Sequence, residues 1–345
     1  MPQEKEGPWK RHSPQRDRPN SLPRIPIPAV RVRSALELCG ALQQARRQRL
    51  SVDVTELDRV LRLDLASGLV EVQASASWGA IPARLREVGC QADAFAAAES
   101  LPPTVGESAA VNAPGPDGQP VAAHVEALTF VTADGDLRRA ARHGNRELLQ
   151  FVLGGHGAFG MLYSLTLRLG SLAHSARNPE RSVEQDWQPL DRADAATWNA
   201  EALVPPQQLD QFLDVVRVEA AERRIELAGI RVRRTLAEDD TFLRWATQEF
   251  ASVTLRLRLR RTLGGSVQAS EARRWIIGAA LGVGGSFPIA SGFDASLEQV
   301  RACYPQLPAF LAAKRRYDPS ELLQSDWYRH FRRLLGPQCP VRWAA

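Results

Sequence analysis

Between Thr104 and Leu169 the chain packs strand, turn and helix signals so closely that few arrangements can satisfy them together. Val125–Ala133 reads as a strand, and Ala133-Asp134-Gly135-Asp136 as the turn of a hairpin. Asn145 is placed to N-cap a helix over Arg146–Leu153, which Gly154-Gly155 would stop. Leu165, Leu167 and Leu169 then alternate with Thr166 and Arg168, the period of a strand with one buried face. Thr104-Val105-Gly106, Asn112 and Gly115 stand just ahead of this run.

The flanking sequence is legible in pieces. Residues 1–30 hold seven prolines among charges and predict a disordered tail. Leu36, Leu38, Leu42 and Ala45 fall at near-helical spacing and predict a helix to about Arg47. Strands are expected at Leu50–Val54, Val60–Leu65 and Leu69–Ala74, then a short helix from Trp78 to Val88 ended by Gly89. The polar stretch 171–198 marks a boundary. Beyond it a helix is expected over Leu209–Arg223, with strands at Ile225–Val232 and Val253–Leu259. Asp318-Pro319-Ser320-Glu321 supplies an N-cap, a proline at the first helical position and a glutamate two further on, predicting a helix from there to about Leu335.

Composition narrows the class. With 345 residues, 44% hydrophobic and 24% charged, the chain has room for two domains or one with a large insertion. A net charge of +5 is compatible with an anionic substrate, a membrane surface or neither. No basic stretch interleaves with aromatics, which argues against nucleic acid. Cys39, Cys90, Cys303 and Cys339 are widely spaced, against a zinc site or a disulfide scaffold, and the six histidines show no metal spacing. No apolar run reaches the roughly 18 residues of a spanning helix, so a cytoplasmic protein is expected, with peripheral membrane association open.

Several of these pieces occur together in one family. The runs T-V-G at 104–106, V-E-A-L-T-F-V-T-A-D-G-D at 125–136, G-N-R-E-L-L-Q-F-V-L-G-G-H-G-A-F-G-M at 144–161 and K-R-R-Y-D-P-S-E-L-L at 314–323, with Asn112 and Gly115, resemble the vanillyl-alcohol-oxidase (PCMH-type) FAD-binding family. Within it the similarity points to the decaprenylphosphoryl-ribose oxidase and sugar-alcohol oxidase branch. The resemblance implies an α+β fold: a two-lobed FAD-binding domain with an inserted antiparallel-sheet cap. The divisions it implies are a tail at 1–30, the FAD-type domain at 31–170 with a shortened N-terminal lobe, the cap at 171–309, and a C-terminal helix returning to the first domain within 310–345. It further implies non-covalent FAD held near Thr104, Val105, Gly106, Asn112, Gly115 and Met161; the candidate substrate residues are Arg256 and Arg258, from their strand alternation, and Ser291 in the cap, and no metal is expected.

The chain departs from this pattern at the cofactor. The family carries a strand and a glycine-rich pyrophosphate loop ahead of Leu50, yet residues 34–80 contain only Gly40, Gly68 and Gly79. Glu107 stands for the second glycine of T-V-G-G, Pro114 for a histidine beside the flavin, and Pro288 and Ser291 for a tyrosine and a lysine of the cap. Amides of a glycine loop are what grip a diphosphate, so their loss bears directly on FAD.

Two functions stay open. One is an FAD-linked oxidoreductase oxidising a hydroxyl of a sugar-like substrate, anionic if the arginines serve it, with hydride passing to the flavin and no base assigned. The other is a flavin-free relative that keeps the scaffold as a binding or complex-assembly subunit with a partner protein. Remaining motifs read as structure. Gly155-His-Gly157-Ala-Phe-Gly160 follows a helix and precedes a strand, the reverse of a nucleotide fingerprint, so it is a turn. Arg256, Arg258 and Arg260 share one strand face and Arg231 and Arg233 share another, a solvated face or an anion site. His124 reads as a surface or structural histidine, and Trp327 and Tyr328 as packing aromatics.

Overall fold

A computed structural model describes residues 28–48, 50–89, 103–115, 117–172, 183–185 and 195–336. Its first element is a parallel pair, β1 (Ala29–Arg31) and β2 (Ser51–Asp53), joined through α1 (Ala35–Ala45). The expected tail is therefore too long by two residues, because Ala29 and Val30 pair with Ser51 and Val52; residues 1–27 lie outside the described part. Ser34 caps α1 by accepting the Glu37 amide at 3.2 Å, and Leu38, Ala41 and Leu42 face a small core with Val32, Leu57 and Val131. Only residues 46–50 separate α1 from β2, and β1 lies directly beside β2. Among the described residues no further strand lies between α1 and β2, and residues 46–50 contain no glycine.

A five-stranded antiparallel sheet follows, in the order β3-β4-β7-β5-β6, from β3 (Val60–Asp64), β4 (Leu69–Gln73), β5 (Val125–Val131), β6 (Leu137–Ala141) and β7 (Met161–Arg168). The helices α2 (Ala80–Glu87), α3 (Val105–Ala110) and α4 (Arg146–Val152) fall between its strands in the chain. The β5–β6 hairpin turns at Gly135, whose φ of +84° suits glycine. Asn145 precedes α4 as expected but does not cap it. It sits in the left-handed region (φ 59°, ψ 42°), and its side chain instead donates to Arg139 O at 3.5 Å.

The second sheet, β8-β10-β11-β9, is also antiparallel: β8 (Val183–Gln185), β9 (Ala195–Val204), β10 (Glu226–Thr235) and β11 (Phe250–Arg260). One face is covered by α5 (Leu209–Glu222) and α6 (Leu263–Gly282). Phe212, Leu213 and Val216 of α5 and Ala269, Ala272 and Ile276 of α6 pack there on Val253, Leu255 and Leu257. The sequence reading missed α6 and β9. In α6 four of the ten apolar positions are alanines, and glycines that read as stops fall near both ends. In β9, Ala200 and Ala202 give too weak an alternation to separate it from the polar boundary. Much of that boundary lies outside the described residues.

The chain ends with α7 (Leu297–Cys303), α8 (Leu307–Tyr317) and α9 (Asp326–Leu335). These return to the first core, where Phe310 meets Phe151 and Phe159, and Trp327 packs against Phe310 and Phe331. The helix expected from Asp318 starts only at Asp326, capped by Ser325. Asp318 is claimed elsewhere: it pairs with Lys314 one turn back in α8 and accepts the amides of Leu322 (3.0 Å) and Leu323 (2.9 Å). Glu321, at φ +49°, prevents helix from forming over the intervening residues. Burial pushes the Asp318 carboxyl up, but Lys314 and the two amides outweigh it and hold the pKa below the ordinary carboxylate range.

Both members of this pair are buried, Lys314 at 0% and Asp318 at 1% exposure, so removing one strands the other. Asp318→Ala is expected to destabilise the protein by about 3 kcal/mol in chemical denaturation. The contribution of Asp318 should be present above the unfolded carboxylate pKa and lost as pH falls through the lower folded value.

Candidate functional site

The wall where the cofactor contacts were expected is α3 and the turn after it. Thr104 caps α3, its Oγ1 accepting the Glu107 amide at 3.1 Å. The other first-turn amides are also engaged within the chain. Val105 donates to Ala76 O (2.9 Å), Gly106 to Ala74 O (2.7 Å) and Ser108 to Thr104 O (3.1 Å). Gly106 is required by this contact, since a Cβ there would lie 2.6 Å from Ala74 O. Thr104-x-x-Glu107 is thus a helix-start signature, and a carboxylate is favourable at that end of a helix. Glu107 stands where the family has a glycine, and as the acidic residue of the first turn it has a role of its own.

The far end of α3 is closed by the glycine turn between α4 and β7. Gly154 and His156 donate their amides to Ala109 O and Ala110 O, each at 2.9 Å. Gly155 packs so tightly that a Cβ would lie 2.1 Å from Phe151 O. The ring of His156 stacks on Trp327 at 4.2 Å and 6°, and burial lowers its pKa to about 3. Trp327 and Tyr328 pack as expected, with Trp327 Nε1 donating to Ile289 O at 3.2 Å and the Tyr328 hydroxyl to Glu321 at 2.5 Å.

After α3, Asn112 (φ 48°, 1% exposed) accepts the Ala122 amide on Oδ1 at 2.9 Å, while its Nδ2 is buried without an acceptor. Gly115 closes a turn by donating to Gln119 O at 2.7 Å, and a Cβ would lie 2.6 Å from that oxygen. Beneath the turn His124 is buried and hydrogen-bonded, the structural rather than the surface placement. Its Nδ1 is 2.7 Å from Ser171 Oγ, and its Nε2 is 3.9 Å from Asp117 Oδ1. Burial lowers its pKa, against the pull of Asp117. Met161 opens β7 opposite Val131 and packs toward the small core around α1.

A segment with no signal in the sequence closes over this wall. Residues 236–246, between β10 and β11, carry Thr241, Leu243, Trp245 and Ala246, all buried. Trp245 Nε1 donates to Asn112 O (3.0 Å), Leu236 N to Gly118 O (2.8 Å) and Phe242 N to Gln150 O (2.9 Å). Asp240 pairs with Arg142, which also donates to Val125 O and Ala122 O, each at 2.7 Å. Glu238 accepts from Thr241 Oγ1 at 2.6 Å, and burial raises its pKa.

The expected substrate residues lie on the second sheet and beyond it. Arg258 faces Glu226 across the β10–β11 ladder and pairs with it; Arg256 lies opposite Gly229 and Asn199. The register sets Arg231 and Arg233 against Thr254 and Ser252, so the arginines of the two strands do not oppose one another directly. Ser291 is exposed, and its hydroxyl donates to Pro288 O at 3.1 Å. Among the described residues no His/Cys/Asp/Glu group could hold a metal ion, and no helix is long and apolar enough to cross a membrane.

Residues 29–141 match the family model described as an FAD binding domain. Wild-type BBE-like 1 of Physcomitrella patens is similar in structure at 12% identity and a TM-score of 0.61, over 86% of this chain and 89% of that one. Xylooligosaccharide oxidase from Myceliophthora thermophila C1, solved with xylobiose, gives 12% and 0.61 over 87% and 90%. An alkyldihydroxyacetonephosphate synthase gives 11% and 0.58 over 86% and 75%. The fold is that of the PCMH-type FAD-binding flavoenzymes. No curated protein matches the chain by sequence.

The diphosphate of FAD does not fit the described residues. The first-turn amides of α3 are consumed by carbonyls and by Thr104, and the α1–β2 link holds no glycine loop. At the other end Asn112 Nδ2 is an unpartnered donor, and the ring nitrogens His124 Nε2 and His156 Nε2 also lack hydrogen-bond partners. Charge-assisted bonds of about 1.5–3 kcal/mol each are therefore missing.

Gly106→Ala is expected to cost about 2 kcal/mol of stability in denaturant titration, equally with and without added FAD, because the clash is with backbone. His156, neutral and buried, should contribute stability fully above its ordinary pKa of 6.5 and lose it as pH falls toward about 3. His156→Asn should flatten the stability–pH curve over that window.

Proposed function

We propose that this chain is a flavin-free protein that uses the flavoenzyme fold as a binding or complex-assembly subunit. The observation that carries this reading is the saturation of the α3 amides by Ala74, Ala76 and Thr104, where the resemblance puts FAD contacts, beside an α1–β2 link with no glycine loop. The closure of 236–246 over Asn112 supports it, since polar surface that a ligand would meet is already bonded to the protein. On this reading the four-stranded sheet with α5 and α6 is a cap at 171–309 that has lost its catalytic partner, and α8 and α9 of the C-terminal segment at 310–345 brace the first domain at 31–170. The partner is another protein, and the setting is the cytoplasm or the face of a membrane.

A second reading is favoured by the match of residues 29–141 to an FAD binding domain and by the unpaired Nδ2 of Asn112. It is an FAD-linked oxidoreductase of the decaprenylphosphoryl-ribose oxidase and sugar-alcohol oxidase branch, taking a hydroxyl-bearing, anionic, sugar-like substrate near Arg256, Arg258 and Ser291. Its FAD would be non-covalent and would accept the hydride.

Visible absorption and FAD titration separate the two. The purified protein is expected to be colourless and to retain no flavin after incubation with FAD and desalting. Stoichiometric flavin in either preparation would sink the first reading. Glu107→Gly should leave FAD binding absent, because residues 46–50 still hold no amide cradle.

A further inference from the structure

On the outer edge of the five-stranded sheet a cavity of about 460 Å³ opens between β6, the start of α4 and the end of α8. Its size is that of a small-molecule site. Arg138 and Arg139 line it from β6 and Arg146 from α4, with Glu147 as the one carboxylate of the lining and Tyr317 as an aromatic wall. Asn145, held left-handed, turns the chain so that Arg146 comes back toward the two strand arginines.

The three guanidiniums are poorly neutralised. Arg138 lies 3.5 Å from Asp136, but both are well exposed, so water screens the pair. Arg139 reaches only the Thr166 hydroxyl, at 3.4 Å. Arg146 has no ion-pair or hydrogen-bond partner among the described residues. Like charges gathered around one cavity repel each other, and an anion with several acceptor oxygens relieves that repulsion while matching the planar donor forks.

The wall is firm. The Tyr317 ring meets Phe159 edge-on at 5.6 Å and Phe151 at 6.4 Å, so the core fixes its position before any ligand arrives. Nothing in the proposed function uses this cavity, and it stands apart from α3 and its turn.

We propose that this cavity binds a small phosphate-bearing molecule, its phosphate held by Arg138, Arg139 and Arg146 and its body laid against Tyr317. The phosphate can belong to a free metabolite or to a lipid headgroup, and the test has an arm for each. Calorimetric titration with inorganic pyrophosphate should show one site per chain, weakened by added salt. Arg146→Ala and Arg139→Ala should each weaken it about tenfold, whereas Arg301→Ala, an exposed arginine of α7 outside the cavity, should leave it unchanged. Arg146 is exposed and unpartnered, so its variant should match the parent in thermal unfolding. In the second arm, flotation with phosphatidic acid vesicles that is lost in Arg146→Ala and competed by pyrophosphate assigns the phosphate to a lipid. Pyrophosphate binding without flotation assigns it to a soluble molecule. Failure of both arms, or equal weakening by Arg301→Ala, overturns the proposal.

Discussion

The structure turns on the saturation of one short helix. Every first-turn amide of α3 finds an acceptor on Ala74, Ala76 or Thr104, and its last carbonyls, on Ala109 and Ala110, accept from the Gly154–His156 turn. Backbone groups buried without partners are costly, so this stitching locks β4, α3 and the glycine turn into one unit. The glycines of that unit are demanded by protein contacts: Gly106 by Ala74 O, Gly155 by Phe151 O, Gly115 by Gln119 O. In a phosphate cradle the same residue type would leave room for a ligand. Here the space beside each glycine is filled by the chain itself.

The rest of the molecule tightens the same region. Segment 236–246 lays Trp245 on the carbonyl of Asn112 and brings Asp240 to Arg142, whose guanidinium also holds Val125 and Ala122. From the other side α8 and α9 set Phe310 and Trp327 against Phe159 and His156. The Lys314–Asp318 pair fixes the link between those helices, its carboxylate doing for Leu322 and Leu323 what a helix turn would otherwise do. Likeness to flavoenzymes at 11–12% identity extends over 86–87% of the chain, which speaks for the scaffold. Chemistry is decided by the donors that remain free, and among the described residues of the α3 wall few do.

Much of the scaffold was legible because its signals are short-ranged. The alternation of Leu165 and Leu167, the hairpin at Gly135 and the apolar face of α1 each depend on neighbours a few residues away. Where the reading failed, the residue had already been claimed by another group. Asp318 looked like a helix cap until Lys314 claimed it, and Glu107 looked like a lost glycine although Thr104 three residues earlier makes it a capping position. Trp245 shows no period that would betray its role, because the carbonyl it bonds, on Asn112, lies 133 residues away in the chain. The cavity at Arg138, Arg139 and Arg146 was invisible for a similar reason: Tyr317 closes it from another helix.

By itself the sequence determined the local vocabulary of the protein: which stretches can be strand or helix, where the backbone must turn, and that no glycine loop lies between α1 and β2. Those outcomes follow from dihedral preferences and capping, which act within a turn or two. Tertiary structure alone decided which amides would be spent, which arginines would be paired and which left facing a cavity. Arg258 meets Glu226 only through strand register, and the α3 amides meet Ala74 and Ala76 only once the sheet has brought them together. Hydrogen-bond saturation is a property of the folded neighbourhood, and no window of sequence contains it.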